Sequence, residues 1–187
     1  NLPSTEAEVS NLAMTADTME LLERNIGPFT FVSGFRTKEL QSVLASTGEP
    51  TSAGTSFHEL GRAVDIYPTT MGIAEFFAKI LVDEELKNRF VEIAIKPGQN
   101  SIHLAINVPE DTRDPRVMAL NADNVYARLT VDEITSYITP YMPSSEVAYD
   151  YAAAKLVTYN RMPLILTAAV ALAGAAYLLL LSNRKTA

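Results

Sequence analysis

Two histidines and one aspartate stand out in a chain of 187 residues that contains no cysteine. His58 lies in "SFHELGRAVDIYP", Asp65 closes the run of small and apolar residues that follows it, and His103 lies in "SIHLAINV". Strand alternation decides whether they can meet, because residues two apart share a face. In "AVDIY" the core-seeking side chains are Val64 and Ile66, which sends Ala63 and Asp65 to the other face. In "SIHLAINV" the apolar set is Ile102, Leu104, Ile106 and Val108, so Ser101, His103, Ala105 and Asn107 point the other way. Asp65 and His103 can therefore share one polar face. His58 sits in the loop entering the strand of Asp65, where Gly61 lets the chain bend sharply. Two imidazoles and one carboxylate on a common face are a zinc-type ligand set. Three protein ligands leave a fourth position for water, whose pKa falls towards about 7 as the cation also polarises a carbonyl. The alternative is an ordinary turn into a strand, with each histidine a surface or satisfied core residue.

The elements around these residues follow from periodicity and punctuation. Thr5 stands three residues before Glu8, a capping-box pattern that opens a helix ending at Gly27-Pro28, with Val9, Leu12, Met19 and Leu22 as its apolar stripe. "FTFVSGF" alternates and reads as a strand ending at Gly34; "TKELQSVLAST" reads as a short amphipathic helix; residues 48–56, "GEPTSAGTS", are loop. A helical region runs from about Thr70 to Arg89 with a break near Val82-Asp83, followed by a hairpin of "FVEIAIK" and "SIHLAIN" joined through "PGQN". Beyond Pro109 the pattern weakens. "PEDTRDPR" reads as loop, "TVDEITSYI" as a short helix, "PYMPSSE" as a connector, and "EVAYDYAAAKLVTYNRM" as helix. Helices around an antiparallel hairpin indicate an α+β domain over residues 1–140.

The remaining residues read as a membrane anchor. Residues 162–181, "MPLILTAAVALAGAAYLLLL", carry no charge and at helical rise span about 30 Å, the thickness of a bilayer's hydrocarbon. Residues 141–161 form a stalk and 182–187 a short basic tail. All 22 acidic residues but only 13 of the 15 basic ones precede Met162, so that part has a formal charge of −9, a poor partner for nucleic acid. Lys155 and Arg161 before the apolar segment balance Arg184 and Lys185 after it, and charge does not set the orientation. Disulfide and thiol chemistry are excluded, and no signal-peptide pattern is present in these residues.

"SFHELGRAVD" resembles the SxHxxGxAxD motif of the zinc D-Ala-D-Ala carboxypeptidase and L-alanyl-D-glutamate endopeptidase family, which shares its fold with the Hedgehog signalling domain. "SGFRT", Ser33 to Thr37, is similar to that family's SGYRS segment, and "SIHL" to its later ligand strand. The three occur in family order and cover roughly Phe29 to Val108. The resemblance implies a small antiparallel sheet with flanking helices, Zn2+ on His58, Asp65 and His103, Arg36 meeting a substrate carboxylate or carbonyl, and Ser56 hydrogen-bonding near the site. It also implies a glutamate base a few residues before the last histidine, with an aromatic nearby. Lys96 to Ile102 contain neither.

Hairpin register offers a substitute. If Lys96 pairs with Ser101, then Ala94 lies opposite His103 and Glu92 opposite Ala105, a diagonal neighbour of His103 about 7–8 Å away along the backbone. Glu92 then faces the metal side, with Val91, Ile93 and Ile95 on the core side, and is the candidate base. Lys96 is the opposite diagonal neighbour, where its charge repels a cation.

Three functions are consistent with this pattern. One is a membrane-tethered zinc peptidase that cuts peptidoglycan stem peptides, its domain outside the cytoplasm in a bacterial envelope or on a virion membrane, as in phage lysis. Another is a peptidase-fold module without catalysis that binds cell-wall peptide or serves a membrane-containing virion or envelope assembly. The third is a metal-free scaffold.

Overall fold

The computed structural model of the protein describes residues 2–49, 56–109 and 115–141. The expected stalk beyond residue 141, the 162–181 span and the basic tail lie outside the described residues, as does the greater part of the 48–56 loop. Among the described residues no helix is long and apolar enough to cross a membrane.

The order of elements is α1 (Glu6–Asn25), β1 (Phe29–Ser33), α2 (Lys38–Ser46), β2 (Ala63–Pro68), α3 (Ile73–Val82), α4 (Glu84–Lys87), β3 (Phe90–Lys96), β4 (Ser101–Ile106), β5 (Arg116–Leu120), β6 (Tyr126–Arg128) and α5 (Val131–Ile138). The architecture is α+β. Its sheet has six strands in the order β1-β2-β4-β3-β5-β6. β3 and β5 run parallel, so the sheet is mixed where a small antiparallel one was expected. Most of the added width is β5 and β6, which the weak pattern after Pro109 concealed.

Local signals set the helices. Thr5 accepts from the Glu8 amide while the Glu8 carboxylate reaches back to the Thr5 amide, the expected capping box. Thr37 caps α2, and Asp83 both ends α3 and caps α4, which explains the break near Val82-Asp83.

The core lies on one face of the sheet. Val64 and Ile66 of β2, Ile93 and Ile95 of β3, and Ile102, Leu104 and Ile106 of β4 pack with Met19 and Leu22 of α1, Phe76, Phe77 and Ile80 of α3, Leu86 of α4 and Ile138 of α5. Burying such side chains is worth about 1.5–3 kcal/mol each, and this fixes which residues of every strand are turned away.

Register then follows. Lys96 pairs with Ser101, Ala94 with His103 and Glu92 with Ala105, the expected hairpin register, and Asp65 is the direct cross-strand partner of His103, closer than the shared face alone implied. One expectation fails. Val91 does not join the core; an irregularity between Phe90 and Glu92 gives Phe90 that place, and Val91 packs with Phe57, Ala63 and Ala105 on the other side.

Candidate metal centre

The sheet face opposite the core forms the floor of an open cleft of about 1300 Å3, lined by Ser33, Arg36, His58, Asp65, Glu92, Lys96 and His103 among others. His58, Asp65 and His103 are buried at 3 %, 3 % and 8 % exposure. Each offers a ligand atom, and these atoms lie within 4.8 Å of one another.

Three devices aim them. β2 and β4 place Asp65 and His103 as direct cross-strand partners, with His103 Nδ1 3.0 Å from Asp65 Oδ1. A tight turn, residues 57–61, carries His58; the Ser56 hydroxyl accepts from the His58 amide, and the Arg36 amide donates to the His58 carbonyl. Gly61 closes that turn with φ +70, and a Cβ there would lie 3.0 Å from the Glu8 carbonyl and from Leu12 Cγ. Only glycine combines that dihedral with so close a helix. α1 fastens the turn further, because Asn11 and Thr15 donate to the carbonyls of Leu60 and Gly61.

The tautomer of His58 is set by its neighbour. Nδ1 lies 2.8 Å from the Gly34 carbonyl, to which it donates, so the Nε2 lone pair faces Asp65 Oδ2 at 3.5 Å. Burial, followed by the adjacent His103, pushes the His58 pKa down to about 3, against the pull of Asp65. A neutral imidazole with a free lone pair is what a cation requires. Burial opposes ionisation of Asp65, yet the hydrogen bond and charge of His103, with Lys96 beside it, hold the carboxyl well below the usual carboxylate range. The chemistry of this donor set thus fits a divalent cation: the buried, neutral imidazole of His58, the second imidazole of His103, and one ionised carboxylate.

The other expected residues are placed as follows. Arg36 enters the centre and is triply held, Nε on Ser33 Oγ at 2.9 Å, Nη1 on Gln41 Oε1 at 3.4 Å and Nη2 on Asp65 Oδ2 at 3.3 Å. An irregularity in β1 between Phe31 and Ser33 brings Ser33 opposite Asp65 and makes the first contact possible. Ser56 acts on the His58 turn and lines the cleft. Glu92 lies as the hairpin register demands, with Oε2 3.5 Å from His103 Nε2, and its other oxygen is paired with Arg116. Lys96 is buried, with Nζ 2.8 Å from Asp65 Oδ1.

Four contributors escaped the sequence reading: Gln41, Ser33, Arg116 and Tyr126. Gln41, fully buried in α2, was signalled by a polar side chain on the helix's inward side. Tyr126 comes from the three-residue β6, and its ring lies 6.2 Å from the His103 ring. Burial, reinforced by the charge of Asp65, pushes its phenol upward, so it remains a hydroxyl donor. An aromatic ring thus lies beside His103, from a strand outside the residues that carry the resemblance.

Compared with known proteins, the chain matches no family model, and no curated protein matches it either. The geometry therefore carries the functional argument.

Proposed function

We propose that the chain is a membrane-tethered, zinc-dependent peptidase-like protein that acts on the stem peptides of peptidoglycan. The observation that supports this best is the convergence of His58, Asp65 and His103 on the floor of a cleft that also holds Arg36. When bound, the cation would supply Lewis acidity and a water nucleophile near neutral pH.

The residues around it divide the remaining work. Arg36 has five N–H donors, three of which the contacts with Ser33, Gln41 and Asp65 use, so two remain for a substrate carboxylate or carbonyl. Tyr126 keeps its proton and can donate to developing negative charge. Glu92 is the candidate base by position. The apolar 162–181 segment would anchor the domain in the membrane, outside the cytoplasm of a bacterial envelope or on a virion, next to the peptidoglycan it acts on.

Two contacts favour a second reading, a module that binds cell-wall peptide without cutting it. Arg116 engages Glu92, and Lys96 engages Asp65. A carboxylate fixed between a guanidinium and an imidazole orients the ring better than it accepts a proton.

Metal analysis of the purified chain, followed by peptidoglycan digestion with and without chelator, tests both readings. Chelator-sensitive release of stem-peptide fragments supports the peptidase. Bound zinc without release supports the binding module. Cleavage that survives Glu92→Gln removes Glu92 as base, and a chain that binds no divalent cation defeats both metal readings.

A further inference from the structure

Asp65 is surrounded more completely than a metal ligand needs to be. Lys96 and His103 both meet Oδ1, at 2.8 and 3.0 Å, while Arg36 and His58 face Oδ2, at 3.3 and 3.5 Å. Of the Lys and Arg nitrogens that meet Asp65, Lys96 Nζ is the closest, and its side chain is 8 % exposed.

A divalent ion and an ammonium on one carboxylate must crowd each other. The ion sits about 2.0–2.2 Å from a ligand oxygen, and Lys96 Nζ lies 2.8 Å from the same group, so on a shared oxygen they are at most about 5 Å apart. At that range, in a site removed from water, like charges repel strongly. Arg36 also meets Asp65, but its guanidinium is tied to Ser33 and Gln41 and spreads its charge over three nitrogens. Among the described residues, Asp65 is the only hydrogen-bond partner of the Lys96 ammonium, which ends on a flexible stem.

We propose that Lys96 is a built-in competitor for the cation: its ammonium occupies Asp65 in the metal-free protein, and a divalent ion enters the His58, Asp65 and His103 site by displacing it. The inference rests on the reading of these three residues as a metal site. It has two consequences. The metal-free fold keeps Asp65 compensated, so the protein stays folded without metal. The affinity for the ion is set below what the three ligands alone would give, and Lys96 is the residue that sets it.

Calorimetric titration with Zn2+, and with Co2+ followed by its visible absorption, tests this on the whole 187-residue chain in detergent. Wild type is compared with Lys96→Met and Lys96→Gln, the second retaining a polar contact to Asp65 should the first fail to fold. Both variants are expected to bind roughly tenfold tighter or more, with a metal-free melting temperature below that of wild type. Wild-type binding with equal or weaker binding in the folded variants overturns the role of Lys96 and leaves the metal site standing. No binding by any of the proteins overturns the metal site and the competitor together.

Discussion

Val64 and Asp65 are neighbours in β2, as Leu104 and His103 are in β4, yet they belong to opposite sides of one sheet. On the helix side Val64, Ile66, Ile102 and Leu104 belong to the apolar core. On the cleft side Asp65 and His103 are almost as deeply buried, but are surrounded by Lys96, Arg36, Glu92 and His58. Burial of similar depth therefore has opposite meanings. One face gains free energy from excluded water and tolerates changes that conserve volume. The other spends free energy on desolvation and recovers it only while every charge keeps its partner.

The largest effects should separate the two faces. Phe76→Ala removes a fully buried ring from the helix side and is expected to cost about 3–5 kcal/mol in urea unfolding, with zinc stoichiometry unchanged in the folded protein. Asp65→Asn is expected to cost a similar amount, about 3–5 kcal/mol, because it leaves Lys96 and Arg36 facing a neutral amide; it should also abolish cation binding. The contrast collapses if folded Phe76→Ala binds no cation, or if Asp65→Asn is as stable as wild type.

Acid probes the same asymmetry without mutation. In metal-free protein His58 has a pKa of about 3, against 6.5 as its ordinary value. Above pH 6.5 it is neutral folded or unfolded. As pH falls below that point, the unfolded chain takes up a proton that the native one refuses, and stability is lost until the folded value is reached. Asp65, whose carboxyl is held low in the fold, adds its own loss as pH drops below the ordinary 3.8. Chelated protein should therefore lose up to about 1.4 kcal/mol per pH unit below 6.5, measured as unfolding midpoints between pH 7 and 4. His58→Gln should flatten that slope. An unchanged slope in the variant would remove His58 as its source.

Much of this asymmetry was legible before any coordinates, because period-2 alternation reports directly on which side a residue faces. The strong apolar sets of β2, β3 and β4 were enough to put Asp65 and His103 on one polar face and, given a Lys96–Ser101 pair, Glu92 and Lys96 diagonal to His103; that Asp65 and His103 are direct cross-strand partners was not legible. Alternation fails where the ladder is irregular. Val91 was misplaced because an extra residue shifts the register beside it, something no local pattern announces. It fails again where strands are too short or too distant to show a period. β6 has three residues, and β5 reaches its partner β3 in parallel after the intervening strand β4, so Tyr126 and Arg116 gave no sign of their place. The contact of Arg116 with Glu92, which bears most on the choice between cutting and binding, was among the hidden ones.

Glu92→Gln sharpens the cleft side on a smaller scale. If the carboxylate orients His103 through Nε2, its loss is expected to weaken zinc binding about 10–100-fold, with little change in metal-free stability because Arg116 is partly exposed. If Glu92 acts only as a base, cleavage falls while affinity is kept. Titration and digestion of the same preparation distinguish the two roles.

The smallest expected effect lies away from the charges altogether and asks how far the centre depends on the helix that backs it. Thr5 and Glu8 cap α1 reciprocally on the exposed surface, while Asn11 and Thr15, two and three turns further on, hold the carbonyls of Leu60 and Gly61 in the turn that carries His58. Loss of a cap frays the first turn and leaves later ones in place, since the apolar side of α1 is fixed by Met19 and Leu22. Thr5→Ala should therefore cost about 1 kcal/mol in thermal or urea unfolding and leave zinc affinity unchanged. A fall in affinity on this substitution would mean that the His58 turn is held by the whole length of α1, through the Glu8 carbonyl and Leu12 that flank Gly61, and not by the Asn11 and Thr15 hydrogen bonds alone.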